Sequence, residues 1–221
     1  MKIPLSKRLL RCCDYIANGD TVADIGCDHG YLGIHLLTSG KAKRVIAADI
    51  NRMPLQTAVE NAKKYGVEEN ISFHLSDGAV SIPRDFNTMV CAGMGADTMV
   101  SILENAPWLK NSRYKLILQC QSKSAMLRSY LSQNGWQIQK ESALKDGRFL
   151  YTVMEVHFGC GKTLTPGQCY FSPALARENT QEANAYLQQV LARLERSIRG
   201  QSDCADPTLV AAYNELKGKV Y

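Results

Sequence analysis

DIGCDHG, residues 24–30, follows the apolar run TVA (21–23). An apolar strand, a glycine-bearing turn with Gly26 and Gly30, and a helix from about Tyr31 make the first βα unit of a nucleotide-binding sheet. A dinucleotide loop carries two further glycines, one for close approach to the pyrophosphate and one for helix packing. Here those positions hold Asp28 and Tyr31. A carboxylate beside two phosphates is repelled by roughly several kcal/mol in a poorly screened pocket. NAD and FAD are thereby disfavoured. S-adenosylmethionine has no phosphate and carries a sulfonium and an ammonium, which an acidic turn favours.

Asp49 lies near the end of a second apolar run, RVIAADI (44–50), 19 residues after Gly30. That is close to the spacing at which an acidic side chain accepts hydrogen bonds from both ribose hydroxyls. Asp77, in SDGA (76–79), follows a third run and is placed to accept from an adenine amino group, with Gly78 and Ala79 leaving room for the ring. CAGMGAD (91–97) ends a fourth, where the acceptor is presented. It has neither the Asn/Asp-Pro-Pro-aromatic pattern of exocyclic amine methylation nor a Cys after Pro, as pyrimidine C5 methylation commonly uses. The candidate cofactor residues are Asp24, Gly26, Cys27, Asp28, Gly30, Asp49, Ile50, Asp77, Gly78, Ala79, Ala92, Gly93 and Met94.

From residue 21 to about 159, β-type runs alternate with amphipathic stretches, predicting parallel strands with interleaved helices. A helix starting near Pro54 and closing at Gly66 fits, as do helices near 96–105 and 123–134. WQIQKESAL and RFLYTVMEVHF, separated by Lys145, Asp146 and Gly147, form a terminal antiparallel hairpin. Five parallel strands plus that hairpin describe the class I methyltransferase variant of the Rossmann architecture, assigned here to residues 1–159. Residues 160–172 read as a linker. Residues 173–221 read as an antiparallel helical hairpin, from Leu187, Leu191, Leu194 and Ile198 in one segment and Leu209, Tyr213, Leu216 and Val220 in the other.

The 221 residues are 45% hydrophobic and 21% charged, ordinary values for a water-soluble fold. No apolar run approaches a membrane span and the N-terminus lacks a signal-peptide core, so a cytoplasmic location is expected. Eight cysteines contain no CxxC pair and no suitably spaced His, so no metal is expected and the thiols read as small apolar fillers. The net charge of +5 lies in residues 1–171, since 172–221 carry six charges of each sign. That excess permits a polyanionic partner.

LSKRL (5–9), VADIGCDHGYL (22–32), AADIN (47–51), SDGA (76–79), AGMG (92–95) and LQCQSKSAMLRSYLSQNGWQI (118–138) together resemble the bacterial tRNA (adenine(22)-N1)-methyltransferase family, TrmK-like. The resemblance implies S-adenosylmethionine as methyl donor, adenine N1 of tRNA as acceptor, and a helical tail that helps hold the tRNA. Cys120 and Gln121 stand where Pro and Asn are expected, Ala96 replaces a glycine and Cys27 a small hydroxyl residue. N1 brings its own lone pair, so positioning dominates. Asp28 is the candidate for stabilising charge that appears on the base, with His29 and Tyr31 contacting it. Lys7, Arg8 and Arg11 near the N-terminus and Arg193, Arg196 and Arg199 on the tail are candidate phosphate contacts. A monomer is expected. The rival readings are a methyltransferase of another substrate, a non-catalytic RNA-binding module on the same fold, and, weakest, a nicotinamide oxidoreductase.

Overall fold

A computed structural model of the chain describes residues 3–159, 161–201 and 205–218. Two of the eight cysteines, Cys160 and Cys204, and Val220 of the second tail segment lie outside the described residues. One seven-stranded sheet organises the chain: β1 (Asp20–Ile25), β2 (Ala42–Asp49), β3 (Ile71–Leu75), β4 (Thr88–Gly95), β5 (Lys115–Ser122), β6 (Trp136–Asp146) and β7 (Phe149–Phe158). Their spatial order is β3-β2-β1-β4-β5-β7-β6. The first five are parallel, and β7 enters between β5 and β6 antiparallel to both. This is the mixed sheet that the sequence predicts for a class I methyltransferase.

The strands read as continuous apolar runs because both sheet faces are covered. All six residues of β1 are buried. One face packs against α4 (Ala96–Asn105) and α5 (Ser124–Gln133), through Met99, Leu103, Leu127 and Leu131. The other packs against α1 (Lys7–Asp14), α2 (Tyr31–Thr38) and α3 (Arg52–Tyr65), through Cys12, Cys13, Leu32, Ile34, Ala58 and Ala62. Chain order reverses between β1 and β4, so the loops leaving their carboxyl ends diverge and open a crevice there. The amino end is closed by polar contacts instead. Asp20 accepts from Asn87 Nδ2, Thr88 Oγ1 (2.7 Å) and Lys115 Nζ (3.2 Å).

Beyond β7 the structure differs from the two-helix reading. The stretch expected to link two domains, 160–172, contains α6 (Pro166–Tyr170), with Thr165 and Gln168 forming a reciprocal capping box. Asn179, at φ +47°, ends α7 (Pro173–Glu178) before α8 (Gln181–Arg199) begins, and α9 (Pro207–Lys217) follows. The reason is burial: Phe171, Leu175, Leu187, Val190, Leu194, Ala212 and Leu216 share a core with Ala143 of β6. The tail is therefore seated on the sheet rather than hung from it. Its anchor is a fully buried ion pair, Arg128 Nη2 of α5 to Glu141 Oε1 of β6, at 2.6 Å. Arg128 also donates to the Cys169 carbonyl (3.1 Å), and Ser172 Oγ donates to Glu141 Oε2 (2.5 Å).

Candidate active site

A cleft of about 870 Å³ opens at the carboxyl ends of β1, β2 and β4. Gly26 turns the chain there at φ +73°, and a Cβ on it would run into Met94 Cε from the β4 loop. Asp28 follows at φ +50°, a left-handed conformation that few non-glycine residues adopt. It is held there by Asp49, whose Oδ2 accepts from the Asp28 backbone N–H (3.0 Å) while Oδ1 accepts from Asn51 N–H (2.8 Å). One carboxylate thus ties the first loop to the second. Gly30, at φ +74°, serves as the α2 N-cap with no side-chain cap bond, so Asp28 does not cap that helix.

Asp24, next to last in β1, lines the cleft. It is 3% exposed, and its Oδ2 has no hydrogen-bond partner. Burial pushes its carboxyl up to about 7; the Gly33 backbone hydrogen bond opposes this and the nearby Asp49 charge adds to it. A buried carboxyl with one unpartnered oxygen beside a ligand cleft fits a cation and repels a phosphate.

Asp28, His29 and Tyr31 come together at the cleft wall. Asp28 Oδ1 lies 3.7 Å from His29 Nε2, and the His29 and Tyr31 rings meet edge to face at 6.2 Å. Asp77 and Gly78 line the opposite side with Ile50, while Ala92, Gly93 and Met94 come from β4. Cys27 lines it also, and its buried thiol is held well above the ordinary range, first by desolvation and then by the Asp24 charge.

Two of the candidate cofactor residues stand behind the cleft rather than in its lining. Gly30 does not line the cleft: it packs on Ala58, 2.9 Å from where a Cβ would sit, and so lets α2 approach α3. Ala79 is fully buried and packs in the core beneath Asp77 and Gly78. Both shape the site from behind.

The sequence also missed contributors. Gln119, fully buried in β5, accepts from the Gly93 N–H through Oε1 (3.1 Å) and donates to the Cys120 carbonyl (3.3 Å), fixing the Gly-Met-Gly loop. A glutamine inside the apolar run LILQC was the available signal, because a buried amide needs partners. Pro4, Ser6, Arg8 and Leu9 on one side, and Asp97, Thr98, Ser101 and Gln121 on the other, complete the lining. Arg8, expected as a phosphate contact, is thus a wall of the cleft. Cys91 and Cys120 are buried; the Cys91 thiol is pushed up to about 12 by burial, which disfavours a thiolate nucleophile.

Of the other basic residues, Lys7 and Arg11 line a separate groove, and Arg11 pairs with Asp14 at 3.4 Å. On α8 Arg199 pairs with Glu195 (2.6 Å), Arg196 donates to the Ala192 carbonyl, and Arg193 lies over the Tyr170 ring. Among the described residues no group of three or more His, Cys, Asp or Glu is arranged to hold a metal, and no helix is long and apolar enough to cross a membrane.

The methyltransferase domain family matches residues 5–154. The Bacillus subtilis (strain 168) tRNA (adenine(22)-N(1))-methyltransferase is 31% identical over 159 residues, covering 72% of this chain and 67% of the relative. The chain belongs to the TrmK-like tRNA methyltransferase family. Among solved structures, the B. subtilis TrmK enzyme aligns over 99% of this chain and 97% of its own, with TM-score 0.82 and 27% identity. A Streptococcus pneumoniae protein solved in complex with S-adenosyl-L-methionine aligns over 99% and 100%, with TM-score 0.86 and 28% identity. In this TrmK-like chain the alignments extend through the tail, so the α6–α9 unit belongs to the shared architecture.

Proposed function

We propose that this chain transfers the methyl group of S-adenosylmethionine to N1 of an adenine in tRNA, at the position, 22, that names the B. subtilis relative. The observation that carries the reading is the acidic cleft itself. Asp24, Asp49 and Asp77 stand at the carboxyl ends of neighbouring strands, and Asp24 has a free oxygen. Asp49 would take the ribose hydroxyls, Asp77 the adenine edge, and Asp24 the positive charge of the methionine portion. When bound, the cofactor supplies an electrophilic methyl on a sulfonium, which leaves as a neutral thioether.

The chain's own residues position and screen. Tyr31 and His29 line the cleft where a base would enter, and the Gln121 side chain lies beside Gly93. The N1 lone pair attacks the methyl carbon directly, so no protein nucleophile is required and positive charge passes to the base. Asp28 stands at the wall to offset that charge and to take the N6 proton afterwards. We assign residues 1–159 to catalysis and the tail, from Pro173 onward, to holding the tRNA.

Two variants test the reading. A transcript with adenine 22 replaced by guanine should accept no methyl where the natural transcript accepts one. Asp28→Asn should lose about 10-fold in kcat, less than the roughly 10²–10³ of a buried oxyanion donor, because the carboxylate is 70% exposed. Full turnover by Asp28→Asn would remove Asp28 from the chemistry.

A further inference from the structure

The large exposed apolar side chains of the described residues are Leu10, Ile50, Met53, Leu75, Val80, Met126 and Phe149, and Phe149 is the one aromatic among them, 51% exposed. It opens β7. Because β7 runs antiparallel to β5, with Leu118 opposite Met154, Phe149 and Tyr151 reach the same edge of the sheet as the end of β5 at Ser122. That is the edge on which the cleft opens.

Four side chains form a continuous row there. Arg8, a wall of the cleft, lies with its guanidinium carbon 5.8 Å from the centre of the Tyr151 ring. Tyr151 and Phe149 are 6.2 Å apart. Arg148 lies over Phe149 at 4.9 Å. Asp146, opposite Phe149 in the ladder, accepts from the Arg8 backbone N–H (3.5 Å). Past the row, a groove of about 650 Å³ lined by Lys7, Leu10, Arg11, Lys145 and Gly147 runs on to Glu182 at the start of α8.

We propose that Arg8, Tyr151, Phe149 and Arg148 are a stacking ledge for unpaired nucleotides of the RNA flanking the one that is methylated. The inference rests on the tRNA methyltransferase reading and adds a binding surface to it. N1 is on the Watson–Crick edge of adenine, so the target has to leave its pairing to reach a cleft, and its neighbours lose a stacking partner. Aromatic faces and guanidinium planes receive such bases without regard to sequence, and the cations accept the phosphates between them. A protein partner would call for a contiguous apolar centre. Here the exposed Phe149 ring lies against Arg148, and its neighbour Tyr151 against Arg8.

The test uses full-length protein, with unmodified tRNA carrying 2-aminopurine beside the target adenine. Phe149→Ala should raise KM for tRNA by about 10-fold, the range of a lost base stack. It should abolish quenching of the probe and leave the calorimetric affinity for S-adenosylmethionine unchanged. Phe149→Trp should restore both KM and quenching, which separates stacking from a structural role. Arg148→Ala should weaken tRNA binding with a shallower salt dependence. An unaltered KM and quench in Phe149→Ala would overturn the ledge while leaving the methyltransferase reading intact. A dimer that becomes a monomer on Phe149→Ala would reassign the surface to a second copy of the chain. Wild-type protein that methylates no tRNA would overturn both readings together.

Discussion

Asp24 is the residue on which the proposed cofactor contact turns. Its carboxyl is 3% exposed, lacks a partner on Oδ2 and is pushed up to about 7 by burial, with Asp49 adding to the shift. The groups around it, Cys12, Cys13, Cys27 and Cys91, are thiols pushed up by desolvation, and each feels the Asp24 charge. The folded value lies above the ordinary 3.8, so the carboxyl favours the fold at low pH, and that contribution is lost as pH rises through about 7. A cationic ligand reverses the preference by holding Asp24 ionised. Cofactor affinity should therefore fall by about tenfold per pH unit below 7 and level off above it, with one proton released on binding. Calorimetry in buffers of different ionisation enthalpy measures both. Asp24→Asn should lose about 1.5–3 kcal/mol of cofactor binding, the worth of a hydrogen bond to a charged group. It should also lose the pH dependence, with a Tm at pH 8 no lower than that of the natural protein. Retained affinity with the same pH profile would move the cation elsewhere.

At the scale of elements, the parts legible in the sequence were those that local spacing defines. The run–turn–helix order, the hairpin around Gly147 and the carboxylates at Asp49 and Asp77 follow from periodicity and separation along the chain, and the structure has them where the spacing put them. What escaped depends on contacts distant in sequence. Gln119 holds Gly93 across two strands, and Asp97, Thr98 and Ser101 line the cleft only because β4 hands over to α4 beside it. The stretch 160–172 looked like a linker because Gly, Pro and Thr are frequent in it. Yet Cys169, Tyr170 and Ser172 close the polar shell of Arg128 and Glu141, a demand invisible locally. That shell carries its own prediction. Arg128→Ala leaves Glu141 buried and uncompensated, at a cost of about 3–5 kcal/mol. Thermal unfolding should show the loss, and cofactor binding by the folded fraction should persist because the cleft lies at a different part of the sheet. A loss below about 1 kcal/mol would mean that water reaches the pair.

Across the whole molecule, one sheet serves two tasks. Its first five strands, read through their carboxyl ends, build the acidic cleft, and its antiparallel pair seats the tail on β6 while aiming the outer end of β7 back at that cleft. Cofactor, base and RNA surface therefore share an edge, with Arg8 touching both the cleft and the ledge. The most direct test is nucleoside mass spectrometry of unmodified tRNA incubated with the protein and methyl-labelled S-adenosylmethionine. The expected product is 1-methyladenosine carrying the label, one per tRNA. Label in N6-methyladenosine or in another base, or none in the RNA at all, would contradict it.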